Sequence, residues 1–436
     1  MYKYKLSSTY EIIDLEIKIE TAKLDKKGIG DILSIDLKYH YKLGRAKDRI
    51  NDINYIQWDK IKKISNPYEF IHTFNKNTFQ NDDRSVAIIK PLSRSFFKMI
   101  EIIYEFCPHI QNKNANKNSN KNANKNTNKN ISTINASNTN ISNTNTSNPQ
   151  RIVSVHIAEG PGGFIEAIRY IRKDQKDDHA FGMTLVKYNK DEYKNVNVLG
   201  WNKSSHFLFK NPEVCIVNGM DGTGNIYKTE NIEYLNNEMK SISPDGADII
   251  TADGGFDFGI EYNFQEQLSC KLIFSQIICA LKCQKVSGTF ICKFFDTNLY
   301  FTTEMLYLLY TVYETVYIYK PLTSRVANSE KYIICTNFKG IDEILLDSLF
   351  TILDNWNKYN DQTINHIFAK IPSIFIDKMK EINAEIIDRQ INSINSTLDI
   401  IKKNLLDDNK WYNSIILLHL QNARDWCKKY NIPYIL

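Results

Sequence analysis

No paired cysteines, no secretory leader, no membrane-length apolar run and no strong net charge mark this chain. Its eight cysteines form no C-x-x-C pair and no cysteine–histidine cluster. A disulfide framework is therefore not expected, and neither is a metal site. Cys279 and Cys283 are four apart, so they share one face of a helix, where core packing is the expected role. The opening stretch MYKYKLSSTYEIIDLEIKIE is too charged for a signal peptide, and no apolar run reaches spanning length. These absences lead us to expect a soluble intracellular protein in a reducing compartment. The net charge of +5 suits a polyanion partner without requiring one.

The 436 residues include 42% hydrophobic and 12% aromatic side chains, enough for a substantial core. One stretch cannot join it. Residues 111–150, QNKNANKNSNKNANKNTNKNISTINASNTNISNTNTSNPQ, hold no acidic and no aromatic residue. Such a segment buries too little surface to offset its ordering entropy, so a disordered insertion is expected.

Residues 1–110 mix short strands and helices, and SRSFFKMIEIIYEF (93–106) has a helical apolar period. After the insertion, short apolar runs alternate with helical stretches. Strands are expected at 151–158, 179–186, 213–219, 246–253, 288–295, 315–321 and 331–338. FIEAIRYIRK and FQEQLSCKLIFSQIICALKC have helical patterns. The expected fold class is α/β, a mostly parallel sheet with helices on both faces over 151–340. The link around 321–330 is too short for a helical crossover, so the last strand should pair antiparallel. Residues 341–436 form a helical C-terminal region, expected to act as a cap or partner surface.

The first strand of that sheet runs into AEGPGGFIEAI (158–168). Glycines let the backbone turn tightly against a ligand, and the next helix aims its N-terminal N–H groups there. The spacing differs from the dinucleotide G-x-G-x-x-G and suits a nucleoside without a pyrophosphate. Ligands of open α/β sheets bind beyond the carboxyl ends of the strands. Asp253 in TADGGFDF, Lys293 in ICKFFD and Glu330 in KPLTSRVANSEKYIIC all reach that edge. Packing has no need of three ionisable groups in one cleft. Lys293 is the odd one, an ammonium set among Ile291, Cys292, Phe294 and Phe295.

Taken in order, AEGPGGF, GMTL, ADGGFDF, GTFICKFFD and KPLTSRVANSEKYIIC resemble the FtsJ-like RNA ribose 2′-O-methyltransferases. The likeness is to the eukaryotic and viral branch that methylates the first transcribed nucleotide of capped mRNA. SNPYEFI (65–71) and SRSFFKMIEI (93–102) are similar to segments that precede the cofactor loop in that branch. The resemblance covers roughly residues 60–340. It implies a Rossmann-like S-adenosylmethionine-dependent sheet, preceded by an N-terminal α/β extension (1–110) and followed by the helical region. It also implies a catalytic tetrad of Lys98, Asp253, Lys293 and Glu330. Cofactor contacts are implied for Ala158, Glu159, Gly160, Pro161, Gly162, Gly163 and Phe164, and for Asn225, Ile226 and Asp253. Asn225 stands where relatives carry an acidic residue. Substrate contacts are implied for Asn263, Phe264, Gln265, Arg325, Asn328, Ser329 and Glu330. Ser93 stands where relatives often have Asn.

A ribose hydroxyl needs a base, and the sulfonium donor needs no acid because its leaving group departs neutral. A lysine with its ordinary pKa near 10.4 is a poor base; burial against Phe294 and Cys292, with Lys98 close by, would lower it. Lys293 is thus expected to be the base, Lys98 to steer the hydroxyl, and Asp253 and Glu330 to hold the two lysines. Lys62, Lys63, Arg94 and Arg325 are candidates for contact with the cap triphosphate. The expected partners are the capped mRNA 5′ end and other capping enzymes, with no membrane. The expected setting is the nucleus for a cellular source, and the cytoplasm, a replication site or the virion for a viral one. A methyltransferase acting on ribosomal or transfer RNA, and a silent RNA-binding subunit of a capping complex, stay open at this point.

Overall fold

The computed structural model describes residues 1–6, 13, 15–24, 33–72, 85–111, 150–186, 200–255, 262–358 and 362–435. The Asn-rich insertion, apart from its first and last residue, lies outside the described residues.

Ten strands are described: β1 (Tyr2–Lys5), β2 (Ile17–Lys23), β3 (Val153–Ile157), β4 (His179–Met183), β5 (Val214–Ile216), β6 (Ala247–Ala252), β7 (Gln284–Phe294), β8 (Tyr313–Lys320), β9 (Lys331–Phe338) and β10 (Gln362–Phe368). Eight of them form one sheet in the order β1-β8-β9-β7-β6-β3-β4-β5. The run from β7 to β5 is parallel. β9 then pairs antiparallel with both β7 and β8, as the short link between β8 and β9 requires. β1 adds an antiparallel edge strand beside β8. Central β3 is buried at all five positions, the pattern of a strand covered on both faces.

Side-chain alternation divides the sheet into two cores. Cys292, Phe294, Ile333 and Cys335 join one core, with α7 (Gln265–Cys283) and α8 (Tyr300–Val312). Ile291, Tyr332, Ile334 and Tyr319 join the other, with α3 (Ser95–Phe106) and α4 (Gly163–Ile171). Lys293 stands two residues from Ile291 and so belongs to the α3 side of β7.

The C-terminal region is helical, with α9 (Glu343–Lys358), α10 (Ser373–Lys402) and α11 (Asn409–Lys429), but it also contains β10. β10 pairs antiparallel with β2 from the other end of the chain. Its QTINHIF carries β-branched residues, and His366 packs on Tyr300 at 5.0 Å and bonds Glu304 at 2.8 Å. The pattern is short, and its partner lies hundreds of residues away. Both ends of the chain are built into the same cores, since α11 places Ala423, Trp426 and Cys427 against Phe96 and Phe97. α10 packs on α1 (Leu37–Asn51) and α2 (Tyr55–Ile64), where Ala46, Ile394 and Leu398 form a small cluster.

Arg172 closes the base of the insertion. It is only 1% exposed and ion-pairs with Asp178, itself 3% exposed. Its Nη1 donates to the Ile110 carbonyl at 3.1 Å, and its Nη2 to the Gln150 carbonyl at 2.7 Å. One guanidinium thus holds both ends of the segment. Replacing Arg172 by Met leaves the buried Asp178 carboxylate without its main partner. The expected loss is about 3–5 kcal/mol of stability, read by urea unfolding. Replacing residues 112–149 by a short Gly-Ser linker should instead leave the unfolding midpoint nearly unchanged, because a shorter loop closes at lower entropic cost.

Candidate active site

The glycine turn follows β3 directly. Gly162 has φ of 102°, in the left-handed region that side chains rarely adopt, and opens α4. A Cβ on Gly163 would lie 2.3 Å from the hydroxyls of Ser93 and Ser95, so this turn is pressed against the start of α3. The Gly160 N–H donates to Thr184 at 3.3 Å. Trp201 covers the turn, its ring 3.2 Å from where a Gly162 Cβ would be, and its buried indole N–H has no partner among the described residues.

Beside the turn, β6 delivers Asp253, β7 delivers Lys293, and the residue before β9 is Glu330. α3 brings Lys98 from the facing layer. The four charged groups meet as two interlocked pairs. The Lys98 ammonium lies 2.7 Å from one Glu330 oxygen and 2.9 Å from the other. The Lys293 ammonium lies 3.3 Å from the Asp253 carboxylate and donates at 2.6 Å to the Asp253 carbonyl. Burial pushes the Glu330 pKa up, but Lys98 and Lys293 together outweigh it and hold the group at about 2. Glu330 therefore senses both lysines.

Two glycines make room for this. A Cβ on Gly255 would stand 3.0 Å from the Lys293 ammonium, and the Gly254 N–H donates to Gln276 at 2.9 Å. The apolar wall beside Lys293 is Phe295, whose ring centre is 5.9 Å from the ammonium. Phe294 and Cys292, expected to form that wall, point to the opposite face of β7 and join the α7 and α8 core. The same alternation puts Tyr332 beside Glu330, and its hydroxyl donates to Asp253 at 3.0 Å. Burial, and then Asp253, raise the Tyr332 pKa well above its ordinary value, so it stays a neutral donor.

A cleft of about 360 Å³ opens beside Lys293 and Glu330, with Lys98 and Asp253 behind its lining. Lys293, Glu330, Gln265, Arg325, Asn328 and Ser329 line it, as do Lys47, Trp58, Lys62, Phe295 and Gln390, of which the sequence had singled out Lys62 alone as a ligand contact. Gln265 and Ser329 are hydrogen-bonded to each other. Asn263 and Phe264 line an adjoining hollow instead, where Asn263 donates to Asp48 at 2.6 Å.

Several sequence candidates are placed differently from what a side-chain contact needs. Glu159 is 4% exposed and turned beneath the turn, 3.3 Å from His156 and accepting from Thr251. Phe164 is fully buried against Tyr332 at 5.7 Å. Either residue can meet a ligand in the turn only through its main chain. The Asn225 side-chain oxygen accepts from the Tyr227 N–H at 3.0 Å, a local turn, and neighbouring Ile226 is 4% exposed. Of the triphosphate candidates, Lys62 and Lys63 pair with Asp59 at 2.9 and 2.6 Å. Arg94 and Arg325 both embrace Glu69, at 2.8 and 2.5 Å.

Glu69 had no signal of its own in the sequence. Burial pushes its pKa up, but Arg325 and Arg94 hold it down at about 2. Behind the loop, Lys320 donates to the carbonyls of Asn328 and Glu330 at 2.7 and 2.6 Å. Burial lowers its pKa to about 7.

Glu69 and Glu330 have folded-state pKa values below the usual carboxylate range. Their stabilisation is present above that range and is lost as pH falls through it toward about 2. Stability should therefore drop between about pH 4.5 and pH 2. In E69Q that drop should shrink, while stability at pH 7 should already be lower because Arg94 and Arg325 then face each other unneutralised. Urea midpoints measured at pH 7, 4 and 3 check this.

Known proteins resemble this chain in sequence. A protein of Trypanosoma brucei brucei named cap-specific mRNA (nucleoside-2′-O-)-methyltransferase 1 is 32% identical over 252 residues, 56% of this chain and 64% of that one. The human protein of the same name is 37% identical over 200 residues, 45% of this chain and 22% of its own length. The chain thus spans under two thirds of the first relative and about a fifth of the second. A ribosomal RNA methyltransferase structure from Plasmodium falciparum overlaps 44% of this chain and 90% of its own at 20% identity and a TM-score of 0.30, too low to bear on the fold. The FtsJ-like methyltransferase family model matches residues 91–338, more than half of the chain and the stretch that carries Lys98, the glycine turn, Asp253, Lys293 and Glu330, and the chain belongs to that family.

Proposed function

We propose that this protein transfers the methyl group of S-adenosylmethionine to the ribose 2′-hydroxyl of the first transcribed nucleotide of capped mRNA. The observation that carries the reading is the interlocked Lys98–Glu330 and Lys293–Asp253 pairs beside the glycine turn. The names borne by the relatives point to the same substrate.

The turn fits the methyl donor. Gly160, Gly162 and Gly163 let the turn pack without side chains against Gly200, Trp201, Ser93 and Ser95, Asp253 at the end of β6 would supply a carboxylate to a cationic donor, and Trp201 brings a buried, unpartnered indole N–H. S-adenosylmethionine supplies an electrophilic methyl group whose sulfur leaves as a neutral thioether. The protein then has to orient the ribose and take one proton.

Once it has lost a proton to solvent, the free amine of Lys293 takes the hydroxyl proton as the 2′-oxygen bonds to the methyl carbon, and afterwards returns it to solvent. Its short hydrogen bond goes to a neutral carbonyl and the Asp253 carboxylate stands farther off at 3.3 Å, whereas Lys98 is gripped by both oxygens of Glu330 at 2.7 and 2.9 Å. Charged acceptors hold an ammonium more firmly than neutral ones. Lys98, the more tightly gripped of the two, therefore steers the hydroxyl, and Lys293 serves as the base. Asp253 and Glu330 orient the two side chains. Ala158, Gly160, Pro161, Gly162 and Gly163 contact the donor, with Glu159 and Phe164 contributing main chain and Asn225 and Ile226 flanking the nucleoside. Gln265, Asn328 and Ser329 contact the RNA, with Asn263 and Phe264 alongside. Trp58 and Phe295 give the cleft aromatic faces for a base, and Lys62 and Arg325 give it positive charge for phosphates.

Replacing Lys293 by Met should lower methyl transfer by roughly a thousandfold or more, with donor affinity within about threefold of wild type. Single-turnover transfer to short RNAs, paired with calorimetric titration of the donor, reads both. Wild-type protein should methylate capped RNA at its first nucleotide and leave uncapped RNA of the same sequence nearly untouched. Equal transfer to both would favour a ribosomal or transfer RNA substrate. Unchanged turnover in K293M would remove the base assignment.

A further inference from the structure

A buried acid that the chemistry does not use lies one helical turn after Lys98. Glu101 is fully buried in α3. Its carboxylate accepts from the N–H of Leu322 at 2.7 Å and from the N–H of Thr323 at 2.9 Å. It also accepts from the indole N–H of Trp426 in α11 at 2.8 Å and from the Tyr319 hydroxyl at 3.3 Å. A carboxylate so deeply buried is costly, and four converging donors are what make it tolerable.

These donors have a common property. Leu322 and Thr323 begin the loop that ends in Glu330. Glu101 therefore ties the helix that carries Lys98 to the loop that carries its ion-pair partner. One turn before Lys98, Arg94 does the same by another route, reaching both Glu69 and the Thr323 carbonyl, at 2.8 and 3.4 Å. Lys98 thus sits between two anchor points that both land on residues 322–325. Trp426 adds a third body, since it belongs to a helix beyond the matched family region.

We infer that Glu101 is a positioning residue for methyl transfer, holding Lys98 in register with Glu330, and that Trp426 of the C-terminal helix completes this anchor. The inference rests on the proposed methyl-transfer reading for its kinetic consequence, while its geometric consequence is independent of it. A helix shifted by about 1 Å over this loop loses the two-oxygen grip of Glu330 on Lys98, and displacements of that order cost about a hundredfold in rate.

The test uses the full chain with E101Q and W426F. Glutamine keeps the size of Glu101 but sets an N–H₂ against N–H donors. Turnover of capped RNA should fall roughly 10- to 100-fold in E101Q and at least about threefold in W426F. The KM for RNA and the affinity for the donor should stay within about threefold. The ammonium resonance of Lys98, assigned by its loss in K98R, should move in both variants. If E101Q does not fold, W426F carries the test, because it leaves the carboxylate and its other donors in place. The proposal is overturned if the Lys98 resonance is unchanged, or if turnover and both binding constants fall together with thermal stability. If wild-type protein transfers no methyl group, the functional reading fails alone, and the Lys98 resonance still decides the positioning role.

Discussion

Two ammonium groups cannot be brought into one partly buried cleft without carboxylates to accompany them, and the arrangement of the site follows from that constraint. Each ammonium taken out of water costs several kcal/mol unless an anion meets it with good geometry. Here Glu330 answers Lys98 through both oxygens, and Asp253 answers Lys293 through side chain and main chain. The anions then need holding in their turn. Ser324 donates to Glu330 at 2.9 Å and Tyr332 to Asp253 at 3.0 Å. Every charge is therefore fixed by a neighbour that is itself fixed, which is how a site keeps its geometry through a reaction.

Much of this was legible in the sequence because it lies at the ends of strands. Asp253, Lys293 and Glu330 could be placed on one sheet edge once alternating strands and helices were read as a parallel sheet. The antiparallel pairing of β8 and β9 followed from the length of their link. Lys98 came only with the family resemblance, since nothing in α3 marks it as different from a surface lysine. The error over Phe294 and Cys292 was avoidable. Period-two alternation sends them to the far face of β7, and the same rule would have found Tyr332 two residues after Glu330.

What the sequence withheld is long-range. Glu69, Glu101 and Trp426 carry no local pattern that distinguishes them from ordinary helix residues. Their meaning appears only when residues about 220 to 330 positions apart, counted along the chain, are brought together by the fold, as the separations of 256 for Arg325–Glu69, 221 for Leu322–Glu101 and 325 for Trp426–Glu101 show. β10 escaped for the same reason, its partner being β2 near the opposite end. A reading based on periodicity finds elements but not the pairs that lock them.

The locking residues also explain why the flanks of this chain are built into the core rather than appended to it. The matched region, residues 91–338, contains all four charged groups, yet it is not electrostatically closed by itself. Arg94 and Arg325 converge on one another, and the carboxylate that both pair with directly, Glu69, comes from before that region. Glu101 takes one of its shortest bonds from Trp426, after that region. Breaking either contact would leave like charges facing each other or a buried carboxylate short of a donor, both of which push α3 off the loop. The layer that carries the four charged groups is thus held in register by charge and hydrogen-bond balance supplied from outside it. The residues before 91 and the C-terminal helices belong to the site in that physical sense, although neither stretch carries one of the four charges.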